Sequence, residues 1–577
     1  MLFKKIIFPW LLSGLTALLT VYGYSTHSHA QATNSIVINQ VGYQPNWSKT
    51  AFLLKSKPTD LKTAEVVDLA SGETVFTLQP GQPQSDTADG NAIYPLDFSA
   101  LRQPGTYYLR VGNSQSAPFQ IGVDIYQEPL VKLLRSYYLQ RCGVAIDDPL
   151  TGIHHAPCHV KDGIIAHTDA IRSIGEPFIA PGGWHDAGDY GKYVTTTAVS
   201  IGRLLSLYEQ HPDLFWDNQL EIPESGNGVP DLLDEMHVGL DWLLTMQRQD
   251  GAVYRKLSGD QWPIGLAPDE DTQARYVYGI STPETAKFTA VMAMAARVYQ
   301  SIQPAQADIY LSAAESAWQF LTTQPTMQVD WVAGDDSGSG KYLFSETDPE
   351  ASLKTDLDDR LWAASELFIT TGKPSFEQYF SQHLDVLDYT LFEWKDPSPL
   401  AMTDYLMQTR QPSLARLRAK IQTKLLQRAN VLLDRVNDSG YRLANHRFIW
   451  GSNKMAAEEG ITLAYAYRLT HNPAYRQAAL DQLDFLLGRN PFNQTFVTGV
   501  GTHPVQHVNH LFARAKQIDI PGLVVGGPNA DAQDGIAPKG QGLLSYIDDA
   551  GSYATNEYAI DYNASLIGLI GILLQSA

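Results

Sequence analysis

Beyond Asp124 the chain carries about a dozen segments in which apolar residues recur at helical spacing, and no fixed repeat length relates one to the next. Leu232, Leu233, Met236, Leu240, Leu243 and Leu244 set the pattern, and Phe288–Tyr299, Leu361–Thr370 and Leu480–Gly488 follow it. Helices of this kind, joined by Gly-, Pro-, Asp- and Asn-rich loops, must bury their apolar stripes on one another. Without a repeat period an open solenoid is not expected, so the pattern predicts a closed ring of helical hairpins in a mainly α protein. In such a ring the connecting loops carry function.

Residues 33–123 follow a different rule. The runs SIVINQVGY, TAFLLKS, TAEVVDLA, ETVFTLQ, AIYPLDFSAL, GTYYLRVG and SAPFQIG alternate apolar and polar residues between Gly, Pro and Asn breaks. A small all-β sandwich is predicted. It holds neither His nor Cys and its acids are scattered, so it reads as an accessory domain. Ahead of it, Lys4 and Lys5, the apolar run Ile6–Tyr22 and the small-residue exit His29-Ala30-Gln31-Ala32 have the layout of a secretory signal peptide over residues 1–32. The run is short for a membrane span. Residues 124–577 then form the helical domain of a protein expected to be secreted or periplasmic, free of the membrane after cleavage, and monomeric. With 62 Asp and Glu against 42 Lys and Arg, the net charge of −20 excludes nucleic acid and anionic membrane as partners and favours a neutral substrate.

The densest chemistry lies in Gly182-Gly183-Trp184-His185-Asp186-Ala187-Gly188-Asp189-Tyr190-Gly191-Lys192-Tyr193. Asp186 and Asp189 are separated only by Ala187 and Gly188, so a flexible loop can present both to one water while the aromatic residues offer flat faces to a sugar. The plainer reading makes Asp189 an N-cap for a helix over Tyr193–Leu207. Glu557 stands near the end of the chain among Tyr553, Tyr558 and Tyr562, where desolvation would raise its pKa and suit a general acid. A helix N-terminus there would instead lower it. A paired-aspartate loop with a solitary glutamate matches the two-carboxylate plan of glycoside hydrolysis.

Metal ligands are also suggested. Cys142 and Cys158 are the only cysteines, and in an exported protein their spacing alone favours a disulfide. Yet His159 follows Cys158 directly, and His154, His155 and His185 lie near in sequence, so a tetrahedral zinc site is the competing reading. The stretch Pro223–Asp231 with Asp234 and Glu235, and the group Asp356, Asp358 and Asp359, could hold calcium or could simply complement helix dipoles. Trp450-Gly451-Ser452-Asn453, Thr498–Pro504 and His507-Val508-Asn509-His510 read as cleft-lining loops.

In chain order, GGWHDAGDYGKY, PESGNGVPDLLDE, DDRLWAASELF, WGSN, LLGRNPFNQTFVTGVG, PGLVVGGPNAD and ATNEYAIDYNASLIG resemble family nine glycoside hydrolases, the cellulase-type enzymes with an (α/α)6 barrel. INQVGYQP through SAPFQIG resembles the immunoglobulin-like domain that precedes the barrel in one branch of that family. The resemblance implies an inverting β-1,4-glucan hydrolase with Asp189 as general base, Asp186 as its partner in holding water and Glu557 as general acid. It also implies a structural zinc held by Cys142, Cys158, His159 and His185, and sugar contacts from His510, Trp450 and Tyr553. One departure stands out: where many members have His-His-Arg, this chain has Asn509-His510-Leu511, with Arg514 as the nearest guanidinium. That leaves two substrate classes open, cellulose-type glucans or cello-oligosaccharides and glucosamine-containing chitosan chains, beside a non-catalytic glycan binder. No Ser/Thr/Pro linker or carbohydrate-binding module is evident, so soluble or amorphous glucan is expected over crystalline cellulose.

Overall fold

The computed structural model describes residues 35–61 and 63–575; the expected signal peptide lies outside the described residues. Strands occupy Ile36 to Ile121, and the first helix begins at Gln127. One sheet of the sandwich runs Ile36–Val37, Thr50–Lys55, Ala92–Asp97, Gln84–Ser85; the other runs Gly42–Tyr43, Phe119–Ile121, Gly105–Val111, Ala64–Asp68, Thr74–Leu78. All pairs are antiparallel except Phe119–Ile121 on Gly42–Tyr43. In Gly105–Val111 alternate residues Tyr107, Leu109 and Val111 are buried, as period-2 patterning requires. In Thr50–Lys55 the run Ala51–Leu54 is buried throughout. The reason is a second partner: Ala51 and Leu53 face the sandwich core, whereas Phe52 and Leu54 join the core of the helical domain. Arg489 Nη1 donates to Thr50 O at 3.1 Å while its guanidinium lies over the Phe52 ring, which seals that junction.

The helical domain alternates outer and inner helices along the chain. They are α1 (Gln127–Leu139) and α2 (Val194–Gln210), α3 (Asp231–Met246) and α4 (Thr282–Tyr299), and α5 (Pro304–Thr323) and α6 (Leu357–Thr371). Then come α7 (Pro374–His383) and α8 (Ser398–Met407), and α9 (Ala415–Asp438) and α10 (Ser452–Thr470). After α11 (Pro473–Leu486), two short loop helices, α12 (Leu511–Lys516) and α13 (Tyr553–Asn556), precede the last inner helix, α14 (Ile560–Gln575). Around the inner ring α2 packs on α4, α4 on α6, α6 on α8, and α10 on α14, which returns to α2; α9 touches both α8 and α10. This is the (α/α)6 barrel.

Outer and inner helices differ as their positions demand. In α9 the buried residues Leu417, Ile421, Leu425, Ala429, Leu432 and Val436 form a single stripe. Every residue of α4 is buried, so the inner helices are enclosed on all sides rather than amphipathic. The sequence reading also passed over a sheet inside this domain. Ile164–Ile165, Arg275–Ser281, Val253–Gly259 and Lys192–Tyr193 lie side by side in that order. Val253–Gly259 is buried at every position, which removes the alternation that would mark a strand. Among the described residues no helix is long and apolar enough to cross a membrane.

Candidate active site

The paired aspartates sit in the loop that enters α2. That helix is capped at Tyr193 without a side-chain bond, so Asp189 is not its N-cap. Instead Asp189 Oδ2 accepts from Tyr193 Oη at 2.7 Å and from Gly191 N at 3.2 Å. Asp186 accepts from Thr196 Oγ1 on one oxygen and from Tyr342 Oη at 2.6 Å on the other. Asp186 is 1% exposed and Asp189 5%. Burial raises both carboxyls above the ordinary range, with the neighbouring Asp189 charge adding to the effect on Asp186 and the Tyr193 hydrogen bond opposing it on Asp189. Two glycines are required by close approach: a Cβ on Gly188 would lie 2.3 Å from the Asn509 carbonyl oxygen, and one on Gly191 would lie 2.3 Å from Tyr193 Oη.

Glu557 reaches the same place from the far end of the chain. It is extended, at the end of α13 and three residues ahead of α14, so it does not sit on a helix N-terminus. Backbone bonds stitch the two loops together: Leu511 N to Gly188 O at 2.7 Å, Asn509 N to Asn556 O at 2.8 Å, and Ile560 N to Asp186 O at 2.8 Å. Burial, then the charges of Asp189 and Asp186, hold the Glu557 carboxyl well above its ordinary value. The arrangement therefore sets Glu557 opposite a pair of aspartates that aromatic hydroxyls hold in place, with burial raising all three carboxyls above their ordinary range.

These acids open on a cleft of about 570 Å³ lined by Trp262, Tyr342, Trp394, Trp450 and Tyr553. Trp450 and Tyr553 stack with centroids 5.7 Å apart, and the Tyr342 ring stands edge-on to Trp394 at 5.0 Å. Such flat faces suit pyranose rings. His510, expected on the substrate, does not line the cleft. It is 1% exposed, donates Nε2–H to Gln140 Oε1 at 2.9 Å and accepts the Ala513 amide on Nδ1, which makes it the N-cap of α12. Burial lowers its pKa to about 3, so it is neutral. Its neighbours Asn509 and Leu511 line the cleft in its place, and so does Arg514.

Directly behind Asp186, a short antiparallel pairing of residues 140–142 with 183–185 brings His185 to the two cysteines: Cys142 N donates to Gly183 O and His185 N to Gln140 O, both at 2.8 Å. Cys142 Sγ and Cys158 Sγ are 3.9 Å apart, far beyond the ~2.05 Å of a disulfide. Cys158 Sγ to His185 Nε2 and Cys142 Sγ to His159 Nδ1 are each 3.7 Å, and His185 Nε2 to His159 Nδ1 is 3.4 Å. His159 also places Nε2 3.4 Å from Asp271 Oδ2, the outer carboxylate contact usual for a metal-ligating imidazole. His154 and His155 stay outside the cluster.

Comparison with known proteins agrees with this geometry. Residues 126–570 match the model of glycosyl hydrolase family 9, and residues 31–116 match that of the cellulase N-terminal Ig-like domain. The chain belongs to glycoside hydrolase family 9. It is 32% identical over 550 residues to endoglucanase D of Acetivibrio thermocellus, covering 93% of this chain and 83% of that one. A metagenome-derived family 9 endoglucanase superposes with a TM-score of 0.89 at 42% identity, over 94% of this chain and 99% of the other. A Zn-binding triple mutant of the family 9 endoglucanase J30 superposes at 0.85 with 37% identity, over 92% and 99%. The protein is thus a glycoside hydrolase enzyme with an immunoglobulin-like domain in front of its barrel.

In this family 9 enzyme several of the carboxylates expected to hold calcium have partners within the protein, whereas both oxygens of Asp358 and Oδ2 of Asp234 have no hydrogen-bond partner. Asp231 accepts from Asn218 N, Leu220 N and Ser225 Oγ; Glu235 accepts from Arg141 and from Trp184 Nε1 at 2.7 Å. Asp234 accepts from Asn227. Asp356 pairs with Arg360 at 2.8 Å and Asp359 with Lys287 at 2.5 Å, while burial and the Asp359 charge push the Asp358 carboxyl well up. Among the described residues only Cys142, Cys158, His159 and His185 gather as a metal-type group of three or more. Trp262, Trp394 and Tyr342 were not singled out from sequence, although Trp262 precedes a proline in DQWPIG and Trp394 lies in FEWKDP, both turn-rich settings that put large rings on a surface.

Proposed function

We propose that this family 9 enzyme is an inverting hydrolase of β-1,4-linked glucans, acting on cellulose-type chains or cello-oligosaccharides. The observation that carries the reading is the meeting of Asp186, Asp189 and Glu557 on one aromatic cleft. Asp189 removes a proton from water, Asp186 shares the hold on that water, and Glu557 protonates the departing glycosidic oxygen. Because Asp186 and Asp189 lie on one loop, they serve one water rather than opposing each other across the bond. Trp450 and Tyr553 give the sugar its platform, and Arg514 supplies the cationic contact that Leu511 lacks. The relatives' names support a glucan substrate, and soluble glucan is preferred over chitosan.

The base must be ionised and the acid protonated, so activity falls below the apparent pKa of the aspartate pair and above that of Glu557; burial places both limbs above the ordinary carboxylate range. Cys142, Cys158, His159 and His185 would hold zinc. A tetrahedral zinc with bonds of ~2.3 Å to sulfur and ~2.0–2.1 Å to nitrogen spaces its donors roughly 3.3–3.8 Å apart. Four of the six donor spacings are 3.4–3.9 Å, close to that range, and all six lie within 4.8 Å. Four protein ligands leave no open position, so zinc would be structural. Residues 1–32 would direct export, and residues 33–123 would act as a support for the barrel in a monomeric enzyme.

The test is the anomer released first from a β-1,4-linked oligosaccharide, followed by proton NMR beside reducing-sugar assays on carboxymethylcellulose and chitosan oligomers. Initial α-anomer from the glucan is expected. Initial β-anomer would overturn the base role of Asp189, and release from chitosan alone would overturn the substrate.

A further inference from the structure

The segment 330–342 is a strap whose residues 339–342 line the cleft beside the aspartates, and the strand it is fastened to carries a lysine to which the proposed reaction gives no role. Lys256 lies in Val253–Gly259, directly across the sheet from Tyr193 on one side and Tyr278 on the other. Its side chain is 3% exposed. The ammonium pairs with Asp336, donates to Ser339 Oγ at 2.7 Å and to Gly340 O at 3.2 Å, and lies 4.8 Å from the Tyr278 ring centroid. All of its hydrogens are spent on the strap or its approaches.

The strap in turn touches both aspartates. Gly340 N donates to Tyr193 Oη at 2.8 Å, and the Tyr193 hydroxyl, with an acceptor position so occupied, directs its single proton to Asp189 Oδ2. Two residues on, Tyr342 donates to Asp186 Oδ2. The far half of the strap is fastened independently, through Arg255 to Asp335 at 3.3 Å and Arg255 Nε to Asp330 O at 3.2 Å. Only the half beside Gly340 depends on Lys256.

We infer that Lys256 is a positioning residue: by fixing the Gly340 peptide it orients the Tyr193 hydroxyl on Asp189 and seats Tyr342 on Asp186. The inference rests on Asp189 being the base. A hydrogen bond to an ionised carboxylate favours that form, so a Tyr193 hydroxyl left free to turn raises the pKa of Asp189. The charged groups facing Asp189 are Asp186, Glu557 and Arg275; those facing Lys256 are Asp336, Asp335 and Arg255. A substitution at Lys256 leaves all of them in the chain.

The experiment measures kcat, KM and the pH profile of kcat/KM on a soluble β-1,4-gluco-oligosaccharide for wild type, Lys256→Met, Lys256→Arg, Tyr193→Phe and Lys256→Met/Tyr193→Phe, with thermal melting to confirm folding at the assay temperature. Lys256→Met should lower kcat about ten- to hundredfold with KM little changed. Its acidic limb should move up by roughly one pH unit or less, and Lys256→Arg should restore part of the shift. In the Tyr193→Phe background the same change should leave the limb where Tyr193→Phe alone puts it. Should Lys256→Met fail to fold, Lys256→Arg and Tyr193→Phe decide the matter: coincident acidic limbs for wild type and both variants would overturn it. Asp189→Asn separates the two readings. If it keeps wild-type turnover the base assignment is wrong, whereas an inactive Asp189→Asn beside a Lys256→Met with an unmoved limb refutes the positioning role alone.

Discussion

His185 turns into a cluster whose donor atoms face one another, whereas Asp186, the next residue, turns into a cleft where like charges face one another across open space. In the first centre two thiols and two imidazoles lie within 4.8 Å, mutually complementary to a cation and closed to any further ligand. In the second, three carboxyls share one cavity with their pKa values raised by burial, and the aspartate charges add to that rise on Asp186 and Glu557. The contrast fits the two roles proposed for these centres. A site that satisfies itself holds shape, and a site held in an unfavourable state by its surroundings does chemistry. The two are joined by one peptide bond.

The sharpest way to probe the chemical half is to remove its charges. Asp189→Asn and Glu557→Gln should each lower turnover on unactivated glucan by about 10²–10⁴-fold, the scale of losing a general base or acid. A substrate with a good leaving group should partly rescue Glu557→Gln and not Asp189→Asn, since only the acid assists departure. Equal rescue of both would erase the distinction drawn between them.

The structural half is broken by Cys158→Ser or by chelation in denaturant. Loss of the cluster should cost roughly 3–5 kcal/mol of stability, the upper range for a single site. It should lower activity in parallel, because the pairing of residues 140–142 with 183–185 carries the aspartate loop. Metal analysis should find one zinc per chain and thiol titration two free thiols. A Cys158→Ser enzyme with wild-type melting and turnover would show that the two centres are not coupled.

How far each centre could be read from sequence follows from the same contrast. Asp186, Asp189 and Glu557 lie in compact, chemically dense motifs that suggested a two-carboxylate site directly, whereas the spacing of Cys142 and Cys158 favoured a disulfide and only the family resemblance pointed to the Cys/His cluster. The ring of helices was legible from apolar periodicity, and the sandwich from alternation. What periodicity could not reveal was Val253–Gly259, buried at all positions, and with it Lys256. Tyr342 and Trp394 reach the cleft from loops remote in sequence, a tertiary fact. His510 shows the limit of motif reading: a residue in a cleft-forming segment turned inward, because an N-cap position and a bond to Gln140 fixed its ring.

A smaller effect is expected at the edge of the cleft. Arg514→Ala should weaken turnover on cello-oligosaccharides by roughly tenfold or more if its guanidinium contacts the sugar, since a hydrogen bond from a charged group is worth about 1.5–3 kcal/mol. Leu511→Arg, offering a second fork, should offset that loss when combined with it. No change from either would remove the cationic contact from the substrate account.

The smallest effect concerns stability, and its sign runs against activity. The Glu557 carboxyl has an ordinary pKa near 4.5 and a higher one in the folded enzyme. Between those two values the folded state binds more protons than the unfolded chain, so stability falls as pH rises through that window and the deficit persists above it. Gln at position 557 cannot ionise and escapes this cost. Glu557→Gln should therefore be more stable than wild type by about 1–2 kcal/mol near neutral pH, a gain typical of relieving a functional site. The difference in melting temperature should shrink toward about pH 4, where the native glutamate is protonated in both states. The isosteric change leaves the backbone bond from Gly526 N to the residue 557 carbonyl intact, so packing alone predicts no pH-dependent difference. A melting difference that stays constant between the two pH values would mean that Glu557 is not held against its charge, and the cleft would lose the property that sets it apart from the neighbouring cluster of Cys142, Cys158, His159 and His185.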